Sequence, residues 1–145
     1  MIIREMTERD RVAVVEMMGV FYASDAVHTN GSYEIFFADV DACISDSPYA
    51  AGYVFEIGTE TIGYAMLAKS FSTEFGKPCI WIEDLYFEKE HRGKGYGKKF
   101  FEFLDKEYKN VIFRLEVEKE NFSAVALYEK CGFEYMPYSE MKKDN

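Results

Sequence analysis

The residues best suited to chemistry in this chain lie between His91 and Lys99, where Arg92, Lys94, Lys98 and Lys99 are interleaved with Gly93, Gly95 and Gly97. Glycines let a backbone turn sharply and bring its N–H groups close to a ligand. Phe100, Phe103, Leu104 and Tyr108 fall at helical spacing, so 96–110 is expected to be an amphipathic helix with the glycine turn at its start. Bare amides at a helix N-terminus form an anion site, and the helix dipole adds to the charge of the cations. No acid interrupts the stretch from Arg92 to Phe101, so the expected guest is a phosphate group. The competing reading is a solvated basic turn that caps a surface helix. Spacing excludes two nucleotide motifs: the glycines alternate, which breaks G-x-G-x-x-G, and Lys99 rather than Ser or Thr follows Lys98, which breaks the P-loop pattern.

The elements that must hold this turn follow from periodicity. Ile80 to Phe87, rich in β-branched and aromatic residues, is a strand that delivers the chain to the turn. Upstream, Met1 to Met6 is a first strand, and Thr7 with Asp10 begins a helix whose apolar face is Val12, Val15, Met18, Gly19 and Tyr22. A turn at Thr29-Asn30-Gly31-Ser32 precedes a second helix carrying Phe36, Val40, Cys43 and Ile44, closed by Ser45 to Pro48. Tyr49 to Ile57 and Thr61 to Phe71 form a hairpin about Gly58, and Phe75 to Pro78 turns into the central strand. After the 96–110 helix come a strand from Val111 to Val117, a short helix from Ser123 to Lys130 ended by Gly132, and two short strands, 133–136 and 138–142.

Composition narrows the classes. A chain of 145 residues suits one domain, here residues 1–145, and a hydrophobic fraction of 48% with 17% aromatics suits a globular core. Charge at Arg4 and Glu5 leaves no signal peptide, and no apolar run is long enough for a membrane span, so the expectation is a cytoplasmic protein without a membrane role. The net charge of −9 opposes a nucleic-acid partner and suits an anionic cofactor confined to the basic turn, with a cationic substrate elsewhere. Cys43, Cys79 and Cys131 are odd in number, and His28 and His91 are far apart, so neither a disulfide framework nor a metal site is expected.

Two motifs carry a resemblance. Arg92 to Gly97 reads R-x-x-G-x-G, and Leu115-Glu116-Val117 followed by Asn121, Ala124, Tyr128 and the Gly132-Phe133 pair reads as a strand followed by N-x-x-A-x-x-x-Y-x-x-x-G-F. In this order and spacing they resemble the acyl-CoA motifs of the GNAT superfamily of N-acetyltransferases. Ile82-Glu83-Asp84-Leu85-Tyr86-Phe87 and the hairpin before it are similar to the polyamine and thialysine N-acetyltransferase group. The resemblance implies an α+β, α/β/α fold with a mixed, mostly antiparallel central sheet and flanking helices. It implies acetyl-CoA as cosubstrate and a primary amine of a small molecule as acceptor, a polyamine or lysine-like amine foremost. A protein or peptide acceptor, and a module that binds acyl-CoA without turnover, are the competing functions.

The same resemblance assigns roles. Tyr128 is the acid that protonates the departing thiolate, and Glu83 is the base for the amine, directly or through water. Leu85, Tyr86 and Phe87 offer backbone groups to the pantetheine arm, and the Leu85 amide faces the developing oxyanion. Arg92, Gly93, Lys94, Gly95, Tyr96, Gly97 and Lys98 hold the pyrophosphate, with Asn121 and Ala124 beside the pantetheine. Strand alternation sends Asp84 to the face opposite Glu83. The short segment after Pro137 leaves open a homodimer in which a second subunit completes the substrate wall.

Overall fold

A computed structural model describes residues 1–27 and 31–145; His28 and the Thr29-Asn30 half of the expected turn lie outside the described residues. The order is β1 (Ile2–Glu5), α1 (Arg11–Tyr22), α2 (Tyr33–Ile44), β2 (Ala50–Ile57), β3 (Glu60–Ser72), β4 (Lys77–Phe87), α3 (Tyr96–Glu107), β5 (Ile112–Leu115) and α4 (Phe122–Lys130). The strands form one sheet in sequence order, antiparallel from β1 to β4, with β5 added parallel to β4. Among the described residues no helix is long and apolar enough to cross a membrane.

Alternation along β2 and β3 feeds two cores. On one face Val54, Tyr64 and Met66 pack with Val14, Met18, Phe36 and Val40 of α1 and α2. On the other, Phe55, Ala65 and Leu67 pack with Phe100, Phe101 and Leu104 of α3, and Leu127 and Tyr128 of α4 join from the edge. Helices therefore cover both faces of a mixed sheet, the α/β/α arrangement the sequence implied.

Two sequence expectations fail at the C-terminus. Residues 133–142 form no strand, and β5 is shorter than the expected 111–117. Phe133 does fold back, its N–H donating to the Tyr128 carbonyl at 3.0 Å and its ring packing on Phe101. Beyond it the chain runs as irregular backbone, with Tyr135, Tyr138 and Met141 exposed and the Tyr138 hydroxyl donating to Glu74 at 3.3 Å. Alternating polar and apolar residues there satisfied a strand pattern, but they lack a buried face to reward pairing.

The start of α1 is fixed by a buried ion pair. Asp10, only 4% exposed, takes both Arg4 guanidinium nitrogens at 2.7 and 2.8 Å, and its Oδ2 accepts from the Thr7 N–H and hydroxyl. Burial pushes its carboxyl up, but these donors outweigh it and hold the pKa at about 2. A depressed carboxylate stabilises the fold above its unfolded pKa, and that stability is lost as pH falls through the folded one. Asp10→Asn should therefore cost about 2 kcal/mol at pH 7 in urea melts, from a shift of roughly two units, and the cost should vanish near pH 2.

Candidate active site

The glycine turn forms as a bare helix N-terminus. Gly95 caps α3 with φ +80°, and no side chain caps the helix. The first bond back along the helix is Lys99 N–H to the Gly95 carbonyl at 3.2 Å, so the Tyr96, Gly97 and Lys98 amides are left without helical partners. Gly97 also serves packing, because a Cβ there would lie 2.6 Å from Leu127, and its hydrogen lets α4 close against the start of α3. Arg92 straps the turn to β4, its Nε donating to the Phe87 carbonyl at 2.7 Å and its guanidinium lying 5.3 Å from the Tyr86 ring centre. Lys94 and Lys98 stay exposed, Lys98 pairing loosely with Glu102 at 3.5 Å.

Beside the turn, β4 has an open edge. β3 accompanies β4 as far as Phe87, whereas β5 pairs only with Cys79 to Ile82 and then departs. Leu85, Tyr86 and Phe87 thus have no strand partner on the β5 side. An extended amide-bearing arm can pair with such an edge. Acetyl-CoA carries both a pyrophosphate and two amides, and the free helix amides and the open edge fit those groups.

The register of β4 slips at Glu83: Asp84 sits opposite Met66 but Ile82 sits opposite Leu67, so Glu83 is the extra residue of a bulge. Ile80 and Ile82 face α3, as do Leu85 and Phe87, so the alternation resets between them. The expectation that Asp84 points away from the Glu83 side is therefore corrected. Both carboxylates act on the Tyr22 hydroxyl, together with Asp39 of α2. Asp84 is 4% exposed and accepts from Tyr64 at 2.8 Å and Tyr22 at 3.1 Å. Burial lifts its carboxyl to about 6, the two tyrosines only partly opposing, and Asp39 and Glu83 push the same way. Glu83 is exposed at the surface, yet its carboxyl is also raised, by desolvation and by Glu140 and Asp39.

Tyr128 lies on the other side of the sheet, among Phe101, Phe133 and Leu127. Burial raises its phenol, so the hydroxyl is protonated at neutral pH, and it has no hydrogen-bond partner among the described residues. It shares its apolar cluster with Leu85, Phe87 and Tyr96. Asn121 is the N-cap of α4, its Oδ1 accepting from Ala124 N–H at 3.4 Å, which leaves only its amide nitrogen for a ligand. The structure gathers Tyr128, Leu85, Phe87 and Tyr96 on one side and holds Glu83 on the other.

These features meet in a known pattern. The model of the Acetyltransferase (GNAT) family matches residues 16–133. The chain belongs to this family. This acetyltransferase is similar to a probable spermine N(1)-acetyltransferase of Bacillus subtilis subsp. natto strain BEST195, with 22% identity over 92% of this chain and 87% of that one. Its fold matches a possible acetyltransferase from Clostridium difficile 630, with TM-score 0.81, 21% identity and coverage of 99% and 97% of the two chains. It also matches a predicted acetyltransferase with acetyl-CoA from Clostridium acetobutylicum, with TM-score 0.79, 18% identity and coverage of 97% and 95%. The protein is an acetyl-CoA-dependent N-acetyltransferase.

Sequence reasoning did not single out Asp39, Tyr22 or Tyr64 of the acetyltransferase as groups around Glu83 and Asp84, and it placed Asp84 on the face opposite Glu83. Tyr22 carried a signal only as one member of an apolar helix face. The Asp84 charge carries a stability consequence opposite to that of Asp10. A raised folded pKa means that the folded state holds its proton more tightly, so stability falls as pH rises from about 4 to about 6. Between pH 4 and pH 7 the stability of Asp84→Asn relative to the parent should improve by about 2–3 kcal/mol, read from paired denaturant melts.

Proposed function

We propose that residues 1–145 form one acetyltransferase domain that transfers an acetyl group to a primary amine of a small molecule, a polyamine or a lysine-like side-chain amine. The observation that carries this reading is the carboxylate group Asp39, Glu83, Asp84 and Glu140 beside the open edge of β4. None of the four pairs with a cation among the described residues. A cationic acceptor supplies the missing charge, and the spermine acetyltransferase relative supports the same class.

Acetyl-CoA supplies an acyl thioester when bound. The amides of Tyr96, Gly97 and Lys98, with the charges of Arg92, Lys94 and Lys98, hold its pyrophosphate, and the backbone groups that Leu85 to Phe87 leave unpaired on the β5 side, the Arg92-bound Phe87 carbonyl excepted, hold its pantetheine. Gly93 and Gly95 allow the backbone path, and Asn121 and Ala124 border the arm. Glu83 attracts the protonated amine and takes up its proton, directly or through water; its raised carboxyl makes it a better acceptor than an ordinary glutamate. In this reading the Leu85 amide donates to the developing oxyanion. Tyr128 keeps its proton until the thiolate leaves, then donates it.

Free-thiol release from acetyl-CoA across polyamines, lysine analogues, amino acids, aminoglycosides and peptides tests this reading. Small primary amines should be turned over, and activity confined to peptides would overturn it. Tyr128→Phe should leave acetyl-CoA binding near the parent value and lower turnover by about 10²-fold, the usual worth of a positioned acid. Glu83→Gln should lower the rate and remove a limb of its pH profile while calorimetry finds the acetyl-CoA affinity unchanged. An unaltered profile would place the base elsewhere.

A further inference from the structure

Tyr22 ends α1 and is the only member of the Tyr22–Asp84–Tyr64 network that reaches the surface. Its ring is fixed by edge contact with Phe21 at 5.5 Å and by Phe36 at 5.1 Å between centres. A phenol has one proton and two lone pairs, and an ionised carboxylate only accepts. Tyr22 gives its proton to Asp84 Oδ1 at 3.1 Å, and no described residue donates to the Tyr22 oxygen. Tyr64, wholly buried, gives its proton to the other Asp84 oxygen at 2.8 Å. Tyr22 is half-buried, and among the described residues its hydroxyl oxygen thus keeps its lone pairs free of any donor.

The charged groups that act on Tyr22 and Asp84 from outside the network, Asp39 and Glu83, both favour a cation, and the nearest cation to Tyr86, Arg92, lies over its ring toward the glycine turn. Asp39 and Cys43 face it from α2, Glu83 and Tyr86 from β4, and Tyr64 from β3. Burial pushes the Cys43 thiol up to about 12, so it stays neutral, and the phenols of Tyr22 and Tyr64 are held protonated by burial and by Asp84. An ammonium group carries three N–H donors and no acceptor, the complement of an oxygen stripped of its proton.

We propose that Tyr22 is a binding residue for the acceptor amine, taking one of its N–H groups, and that Asp84 is the positioning residue that turns the Tyr22 lone pairs outward. This rests on the reading that an amine is acetylated on the Glu83 side of β4. Glu83 and Tyr22 divide the work: one attracts the charge and removes the proton, the other fixes the nitrogen. Asp84→Asn reverses the polarity, because an amide both accepts and donates. Its single carbonyl serves the buried Tyr64, its N–H donates to the Tyr22 oxygen, and the Tyr22 proton swings outward against the cation.

Steady-state kinetics and equilibrium binding test this with spermidine as the probe, or with the best acceptor of the amine panel in its place. Tyr22→Phe should raise KM for the amine at least tenfold, with kcat within a factor of about three and the acetyl-CoA Kd unchanged. Asp84→Asn should raise KM as much or more while its thermal midpoint at pH 7 does not fall, and the double variant should be no worse than Asp84→Asn alone. In the parent, KM should climb below about pH 6 as Asp84 takes a proton, and Tyr22→Phe should lose that limb although Glu83 and Asp39 still titrate. Should no amine be turned over, the functional reading fails by itself. Saturable shifts of the Tyr22 ring resonances on adding spermidine then still decide the binding role, and their absence overturns it. An unchanged KM in Tyr22→Phe overturns it as well. A KM increase in Asp84→Asn that appears only together with a lowered thermal midpoint overturns the positioning role and reduces Asp84 to a structural residue.

Discussion

Most of the site depends on what β4 does between Ile82 and Leu85. At Ile82 its parallel neighbour β5 departs, and at Glu83 its register against β3 slips by one residue. The first event strips one edge of strand partners, which gives an extended ligand backbone groups to pair with. The second resets the alternation, so Glu83 and Asp84 act on the same face while Leu85 and Phe87 return to the α3 core. In the proposed reading, one short stretch of strand then serves the phosphate-bearing cosubstrate on one side and the amine on the other.

The two buried aspartates show two ways in which the fold treats a buried charge. Asp10 has a bidentate arginine and backbone support, and its burial stabilises the junction of β1 and α1. Asp84 is equally buried, has only hydroxyl donors, and is pushed toward the neutral form. A buried charge without a counterion costs stability unless a ligand completes it. In the proposed reading Asp84 carries that cost while the amine is absent, and stability and function then pull in opposite directions at one residue.

Much of this was legible before any coordinates. The helix start at Tyr96 with its basic glycine turn, the hairpin about Gly58 and the closing turn after α4 each rest on local chemistry that the sequence displays. The R-x-x-G-x-G and N-x-x-A-x-x-x-Y patterns pointed to the right family because backbone approach and helix capping demand those residue types. The bulge at Glu83 was not legible: bulky residues flank it, and nothing in Ile82-Glu83-Asp84-Leu85 distinguishes a slipped register from a regular one. Tyr22 was hidden for a related reason, since a tyrosine on an apolar helix face looks like core until its hydroxyl partner, 62 residues away, is known. The expected strands at 133–142 failed because a period-two pattern states which faces differ but supplies no partner to cover either.

The proposed division of β4 between two substrates can be measured directly by amide hydrogen exchange with each substrate added alone. Acetyl-CoA should slow exchange at residues 85–87 and 93–98 and leave 22 and its neighbours in α1 unchanged, while spermidine should slow exchange around Tyr22 and Glu83 and leave the glycine turn unchanged. Protection of the α1 end by acetyl-CoA without any at the glycine turn would contradict this division.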